Sequence, residues 1–266
     1  MKRALWLTDI HLNFLSKNQV EWLFSSMNEA QPDAVLVGGD IAESQNVVEY
    51  LGWMDRAVDA PLYFVLGNHD YYHGSIAQVR ADVTRFAAAS RHLTFLTVSP
   101  PVELTPRQGL VGHDGWADAR YGDYERSLVS MNDYKLIREF VGLSKQDRWP
   151  VLKALGDEAA ASIRRVLPEA LDRWPHVLLL THVPPLREAC WHEGRISDDQ
   201  WLPHFTCKAM GDAILEIMRG RPDRQLTVLC GHTHGSGETR PLANVEIFTG
   251  GADYGDPRIQ RVFDLD

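Results

Sequence analysis

Short apolar runs alternate with amphipathic stretches through the first third of the chain. Residues 3–7, 34–37 and 62–66 are too short for lone helices and rich in aliphatic and aromatic side chains, so they read as buried strands. Between the first two, residues 17–30 place Val20, Leu23, Phe24 and Met27 on one helical face. Residues 45–58 and 76–89 read as two further helices. Strands alternating with helices predict βαβ units and a mostly parallel sheet covered on both faces.

The middle of the chain is less regular. Residues 93–98 and 108–112 read as a strand pair across a connection carrying Pro100, Pro101 and Pro106. Residues 114–150 are polar, aromatic and punctuated by glycine. They read as an insertion or lid with one helix near 133–140. A helix over 153–172 is expected to break or end near Pro168. Strands return at 176–180 and 225–230, separated by a loop over 184–203 and a helix over 205–219. Short strand pieces at 245–249 and 259–265 flank the Gly250-Gly251 turn. No shift of composition marks a linker, so one domain is expected over residues 1–266.

The chemistry sits where the apolar runs stop. Five of them lead into Thr8-Asp9-Ile10-His11, Gly39-Asp40, Gly67-Asn68-His69-Asp70, Thr181-His182 and Gly231-His232-Thr233-His234. Ligands of open α/β sheets bind at the carboxyl ends of strands, so these five ends can meet in one crevice. Asp9, His11, Asp40, Asn68, His182, His232 and His234 supply N and O donors without a thiolate. One ion needs about four to six ligands, so seven is a surplus for one site and a fair set for two sharing a carboxylate. Asp-x-His and His-x-His would put alternate residues on one side of an extended segment. Singly, each has an ordinary reading: Asp40 as a helix N-cap, Asp70 as a turn residue, His182 as a turn cap. Agreement among five strand ends is what lifts the metal reading above these.

Composition narrows the setting. The chain is 44% hydrophobic and 24% charged, as a folded globular protein is. No apolar run approaches the ~20 residues of a membrane span, and Asp9 cuts the first apolar stretch too early for a signal peptide. Three cysteines with no Cys-x-x-Cys pair suit a reducing cytoplasm. The net charge of -9 argues against long nucleic acids and acidic membranes, while leaving room for a small anionic substrate.

Taken in order, Asp9-x-His11, Gly39-Asp40, Gly67-Asn68-His69-Asp70, His182 and Gly231-His232-x-His234 resemble the calcineurin-like metallophosphoesterases. The resemblance runs from residue 9 to residue 234. It implies an α/β fold, a four-layer α/β/β/α sandwich with a dinuclear centre of Mn, Fe or Zn at the strand ends. By that resemblance Asp9, His11 and His234 hold one ion, Asn68, His182 and His232 the other, and Asp40 bridges them. His69 matches the catalytic histidine and Asp70 the carboxylate that orients it.

The implied reaction is hydrolysis of a small phosphoester, a diester slightly favoured, by in-line attack of a bridging hydroxide with His69 as general acid. A phosphomonoesterase acting on a small molecule or phosphoprotein is the alternative, and a silent scaffold of the same fold a further one. A metallo-β-lactamase-like enzyme would need a clustered His-x-His-x-Asp-His run, which is absent. Outside the motifs, Arg187 and His192 are candidate phosphate contacts, against a salt-bridged loop as the plainer reading. His113 is a candidate at the site edge. Trp116, Tyr121 and Tyr124 could wall the substrate or pack a lid, and packing is the expectation.

Overall fold

A computed structural model describes residues 2–265. The first four strands, β1 (Lys2–Leu7), β2 (Ala34–Gly38), β3 (Leu62–Val65) and β4 (Leu93–Phe95), are separated by α1 (Lys17–Glu29), α2 (Val47–Ala57) and α3 (Ile76–Ala89). Then follow β5 (Val102–Thr105), β6 (Gln108–His113), α4 (Asp133–Leu136), α5 (Lys145–Arg173) and β7 (His176–Thr181). A small hairpin, β8 (Trp191–His192) and β9 (Arg195–Ile196), precedes α6 (Leu202–Phe205) and α7 (Lys208–Arg219). The chain closes with β10 (Gln225–Cys230), β11 (Gly237–Leu242), β12 (Val245–Thr249) and β13 (Arg261–Leu265).

Two mixed sheets result, ordered β13-β1-β2-β3-β4 and β11-β12-β10-β7-β6-β5. In both, parallel central strands carry antiparallel pairs at the margin: β13 on β1, β11 on β12 and β5 on β6. Alternation along each strand divides its side chains between two cores. Leu5, Leu7, Val35, Val37 and Phe64 pack outward with the first three helices. Ala4, Trp6, Leu36 and Val65 face inward onto Leu110, Leu178, Leu180 and Leu229 of the second sheet. That sheet turns Val111, Val177, Leu179 and Val228 outward onto Ile163, Leu167, Ile214 and Met218. Three apolar interfaces between four layers make the expected sandwich, each buried Leu, Val or Phe contributing about 1.5–3 kcal/mol.

Four local expectations are corrected. Residues 93–98 and 108–112 are not a pair: β4 extends the first sheet, whereas β6 lies in the second between β7 and β5. Helix α5 starts inside the stretch read as a lid, where the Ser144 side chain accepts the Asp147 N–H. It also runs through both Pro150 and Pro168, held past the latter by Leu167, Ala170 and Leu171 in the outer core. The helix expected over 205–219 is two, α6 and α7, parted at Thr206 and Cys207. Strand β11 passed unseen because its half-exposed edge position tolerates both Gly237 and Pro241.

Candidate metal centre

The carboxyl ends of β1, β2, β3, β7 and β10 meet between the sheets, tied by backbone hydrogen bonds. Asp9 N–H donates to Gly39 O at 3.0 Å, His11 N–H to Asp40 O at 2.9 Å, and Gly231 N–H to His182 O at 2.8 Å. Asp9, His11, Asp40, His232 and His234 all have left-handed backbones, with φ between 40° and 71°. The Asp-x-His and His-x-His pairs therefore converge from tight turns, not from the extended segments expected. Such conformations cost about 1–3 kcal/mol each and persist where surrounding structure dictates them. Glycine makes the approach possible: a Cβ on Gly67 would lie 2.1 Å from Asp40 Oδ1, and one on Gly231 2.0 Å from Asp9 Oδ2. Gly67 is thus required by its proximity to Asp40.

Two donor groups form. Atoms of Asp9, His11, Asp40 and His234 lie within 4.8 Å of one another, as do those of Asp40, His182 and His232. Asp40 belongs to both. In the first group His11 Nε2 faces His234 Nε2 at 3.3 Å, with Asp40 Oδ2 3.8 Å from the former and Asp9 Oδ1 3.4 Å from the latter. In the second, His182 Nε2 lies 3.4 Å from Asp40 Oδ1 and 3.1 Å from Asn68 Oδ1. Ring nitrogens and carboxylate oxygens crowded this closely in a buried site suit two N/O-ligated cations.

Outer contacts fix the donors. Gly38 O accepts from His182 Nδ1 at 2.9 Å and His204 O from His232 Nε2 at 3.1 Å, leaving the opposite nitrogen of each ring free to ligate. Asp9 receives the Thr8 hydroxyl at 2.6 Å and the His232 N–H at 3.0 Å. Burial works to raise the Asp9 carboxyl, but a hydrogen bond from His234 and the charges of His182, His234 and His11 hold it below the usual range. Burial, then the Asp9 charge, pushes the shared Asp40 up. Burial, with His182 adding to it, holds the His232 imidazole at about 3.

The other predicted residues separate. His69 lines a cavity of about 340 Å³ above the candidate donors, its backbone N–H donating to Asp40 Oδ1 at 2.9 Å and its ring 4.3 Å from that of Tyr72. Asp70 does not meet the His69 ring. Its carboxylate accepts the N–H groups of Ile41, Ala42 and Gly67 at 2.7–2.9 Å, latching the end of β3 to that of β2. His192 lines the cavity. Arg187 does not; it pairs with Asp199 at 2.9 Å, the plainer reading. His113 is buried at the end of β6, where its Nδ1 accepts the Gly115 N–H, outside the cavity lining. Trp116 and Tyr124 are buried in packing, and Tyr121 sits by Arg187 and Lys208.

Sequence reasoning missed two features. Asp133 is buried and its Oδ1 accepts both Asn68 Nδ2 at 2.9 Å and the Tyr72 hydroxyl at 2.8 Å, fixing which end of the Asn68 amide faces the ligands. The cavity is also walled by Tyr72, Met131, Trp201, Phe205 and Tyr254. The irregular, aromatic character of residues 114–150 hinted at Asp133 and Met131 alone; Trp201 lies in a stretch read as a plain loop, and nothing marked Tyr72, Phe205 or Tyr254.

With this fold and donor set, the chain belongs to the calcineurin-like phosphoesterase family, whose model matches residues 2–236. Among curated relatives it is 35% identical over 80 residues to a transmembrane protein with metallophosphoesterase domain from Danio rerio, covering 28% of this chain and 18% of that one. It is 32% identical over 76 residues to an uncharacterized metallophosphoesterase of Helicobacter pylori, covering 27% and 20%. The chain thus spans about a fifth of the length of these relatives. Among the described residues, no helix is long and apolar enough to cross a membrane.

Solved structures share the fold. A phosphopantetheinyl hydrolase from Mycobacterium tuberculosis superposes with a TM-score of 0.67 at 18% identity, over 94% of this chain and 89% of that one. A dimetal phosphatase from Danio rerio gives 0.58 at 14% identity, over 94% and 87%.

Proposed function

We propose that this protein is a phosphoesterase with two metal ions, acting on small phosphoesters and favouring diesters. The observation that carries the reading is the shared carboxylate of Asp40, which belongs to both donor groups beneath a cavity open to substrate. Asp9, His11 and His234 would hold one ion, Asn68, His182 and His232 the other, and Asp40 both. When bound, such a pair activates water near neutral pH and draws charge from phosphate oxygens.

The chain's own residues supply the rest. His69 stands over Asp40 at the cavity floor and gives a proton to the leaving alkoxide as its P–O bond breaks. Burial, reinforced by His182, holds the His69 imidazole down at about 4. Asp70 does not assist that proton. It keeps the backbone of β2 and β3 in the register that aims Asp40 and Asn68. The test is a panel of phosphomonoesters and diesters offered to Mn²⁺-reconstituted protein, with metal analysis alongside. Two ions per chain with diester turnover is the expected result; two ions without hydrolysis of any ester overturns it.

A further inference from the structure

The cavity above the donors has an unusual wall. Its lining includes Tyr72, Met131, Trp201, Phe205 and Tyr254, and among the described residues lining it there is no Lys or Arg. The arginines nearest the lining in sequence have partners of their own: Arg187 pairs with Asp199, Arg195 with Glu193, and Arg258 with Asp253 and Asp256. The aromatic rings approach from two sides. Phe205 lies 4.7 Å from the His232 ring and 5.6 Å from Trp201, while Tyr254 lies 4.6 Å from His11 and 5.0 Å from His234. A group attached to a phosphate on the donors must leave between these two faces. Trp201 and Tyr254 are each about half exposed, with ring surface free for a flat partner.

We infer that this cleft selects a phosphodiester carrying one negative charge and an uncharged aromatic or heterocyclic substituent, which packs between Trp201 and Phe205 on one side and Tyr254 on the other. The inference rests on the phosphoesterase reading for where phosphate sits. Two divalent ions set against Asp9 and Asp40 leave a charge of about +2, enough for one phosphate anion and the attacking water-derived anion. A second phosphate would meet Ser130, Asn132, Ser197 and the rings, with no guanidinium or ammonium in the lining, and a charge taken from water without a counter-charge is costly. Flat rings instead gain apolar burial and offset stacking. Nucleoside di- and triphosphates and phosphoproteins are thereby disfavoured, as is any ester whose group beyond phosphorus is charged.

The test is calorimetric titration of the Mn²⁺-loaded protein with diphenyl phosphate, dimethyl phosphate and diphenyl diphosphate. The first and second differ in their rings, the first and third in charge. Diphenyl phosphate is expected to bind about tenfold more tightly than either of the others. Trp201→Ala, a change at a half-exposed position, should weaken diphenyl phosphate by roughly fivefold and leave dimethyl phosphate unchanged. Equal affinity for the diphenyl and dimethyl esters, tighter binding of the diphosphate, or an unchanged Trp201→Ala variant overturns the inference. Turnover of bis(4-nitrophenyl) phosphate is followed in parallel. The expected affinities without turnover would uphold the cleft and reject the phosphoesterase; turnover with the wrong affinities would do the reverse.

Discussion

The two halves of the donor cluster are built differently. In the half proposed around Asn68, His182 and His232, every candidate ligand has a second partner. Gly38 O and His204 O hold the two rings, and Asp133 holds the amide. In the half made by Asp9, His11 and His234, Asp9 is anchored by Thr8 and the His232 N–H, but His11 Nδ1 is buried with no hydrogen-bond partner. The His234 side chain is also 21% exposed at the cavity, against 1% for His182. One half is preorganised from outside; the other would need its proposed ion to settle it. Outer partners of this kind change metal affinity 10- to 100-fold or so, so the half containing His182 should hold its ion more tightly.

Several substitutions break or sharpen that contrast. Asp40→Ala removes the one carboxylate common to both halves and should lower turnover by about 10³-fold, with metal content falling below two ions per chain. Retention of two ions would mean the halves are independent. His69→Ala should reduce cleavage of alkyl esters by ~10²-fold yet spare nitrophenyl esters, whose leaving group needs no proton; equal losses on both would remove its acid role.

Asp133→Ala frees the Asn68 amide and should weaken only the half containing His182, by roughly 10- to 100-fold in a metal competition titration. If both halves weaken alike, the contrast drawn above is wrong. His113→Asn lies outside both halves and should leave neutral-pH turnover unchanged. Burial holds His113 at about 4 against an ordinary 6.5. The unfolded chain therefore takes up this proton first, and stability present above pH 6.5 is lost as pH falls toward 4, by about 3 kcal/mol at 1.4 kcal/mol per unit. A shallower loss of stability between those pH values, measured by urea unfolding of the Asn variant, checks it.

How far the sequence speaks depends on where a residue stands. The seven candidate donors stood out because each follows an apolar run whose end can be located by hydrophobicity alone. Asp133 was not, since it lies 65 positions from Asn68 in a stretch without periodicity, and only folding brings them together. Asp70 misled for the opposite reason. Adjacent to His69 in the chain, it reads as its partner, yet the short helical turn over residues 69–71 directs it onto backbone amides. The prolines of α5 gave a break that tertiary packing overrides, and β5 and β11 were hidden by their edge positions. The cleft walls come from rings with ordinary core roles elsewhere, so no local signal separates Trp201 from the buried Trp116.

The left-handed backbone shared by Asp9, His11, Asp40, His232 and His234 limits how this centre could be re-engineered. Exchanging a donor is not only a choice of ligand atom, because the main chain at these places admits a narrow vocabulary. Asn, Asp, His and Gly enter that region most readily, whereas β-branched residues are strongly opposed. A library that varies these five positions freely would spend most of its members on chains that cannot close the turn. The exchanges this backbone accepts are Asp with Asn at positions 9 and 40, and His with Asn or Asp at 11, 232 and 234.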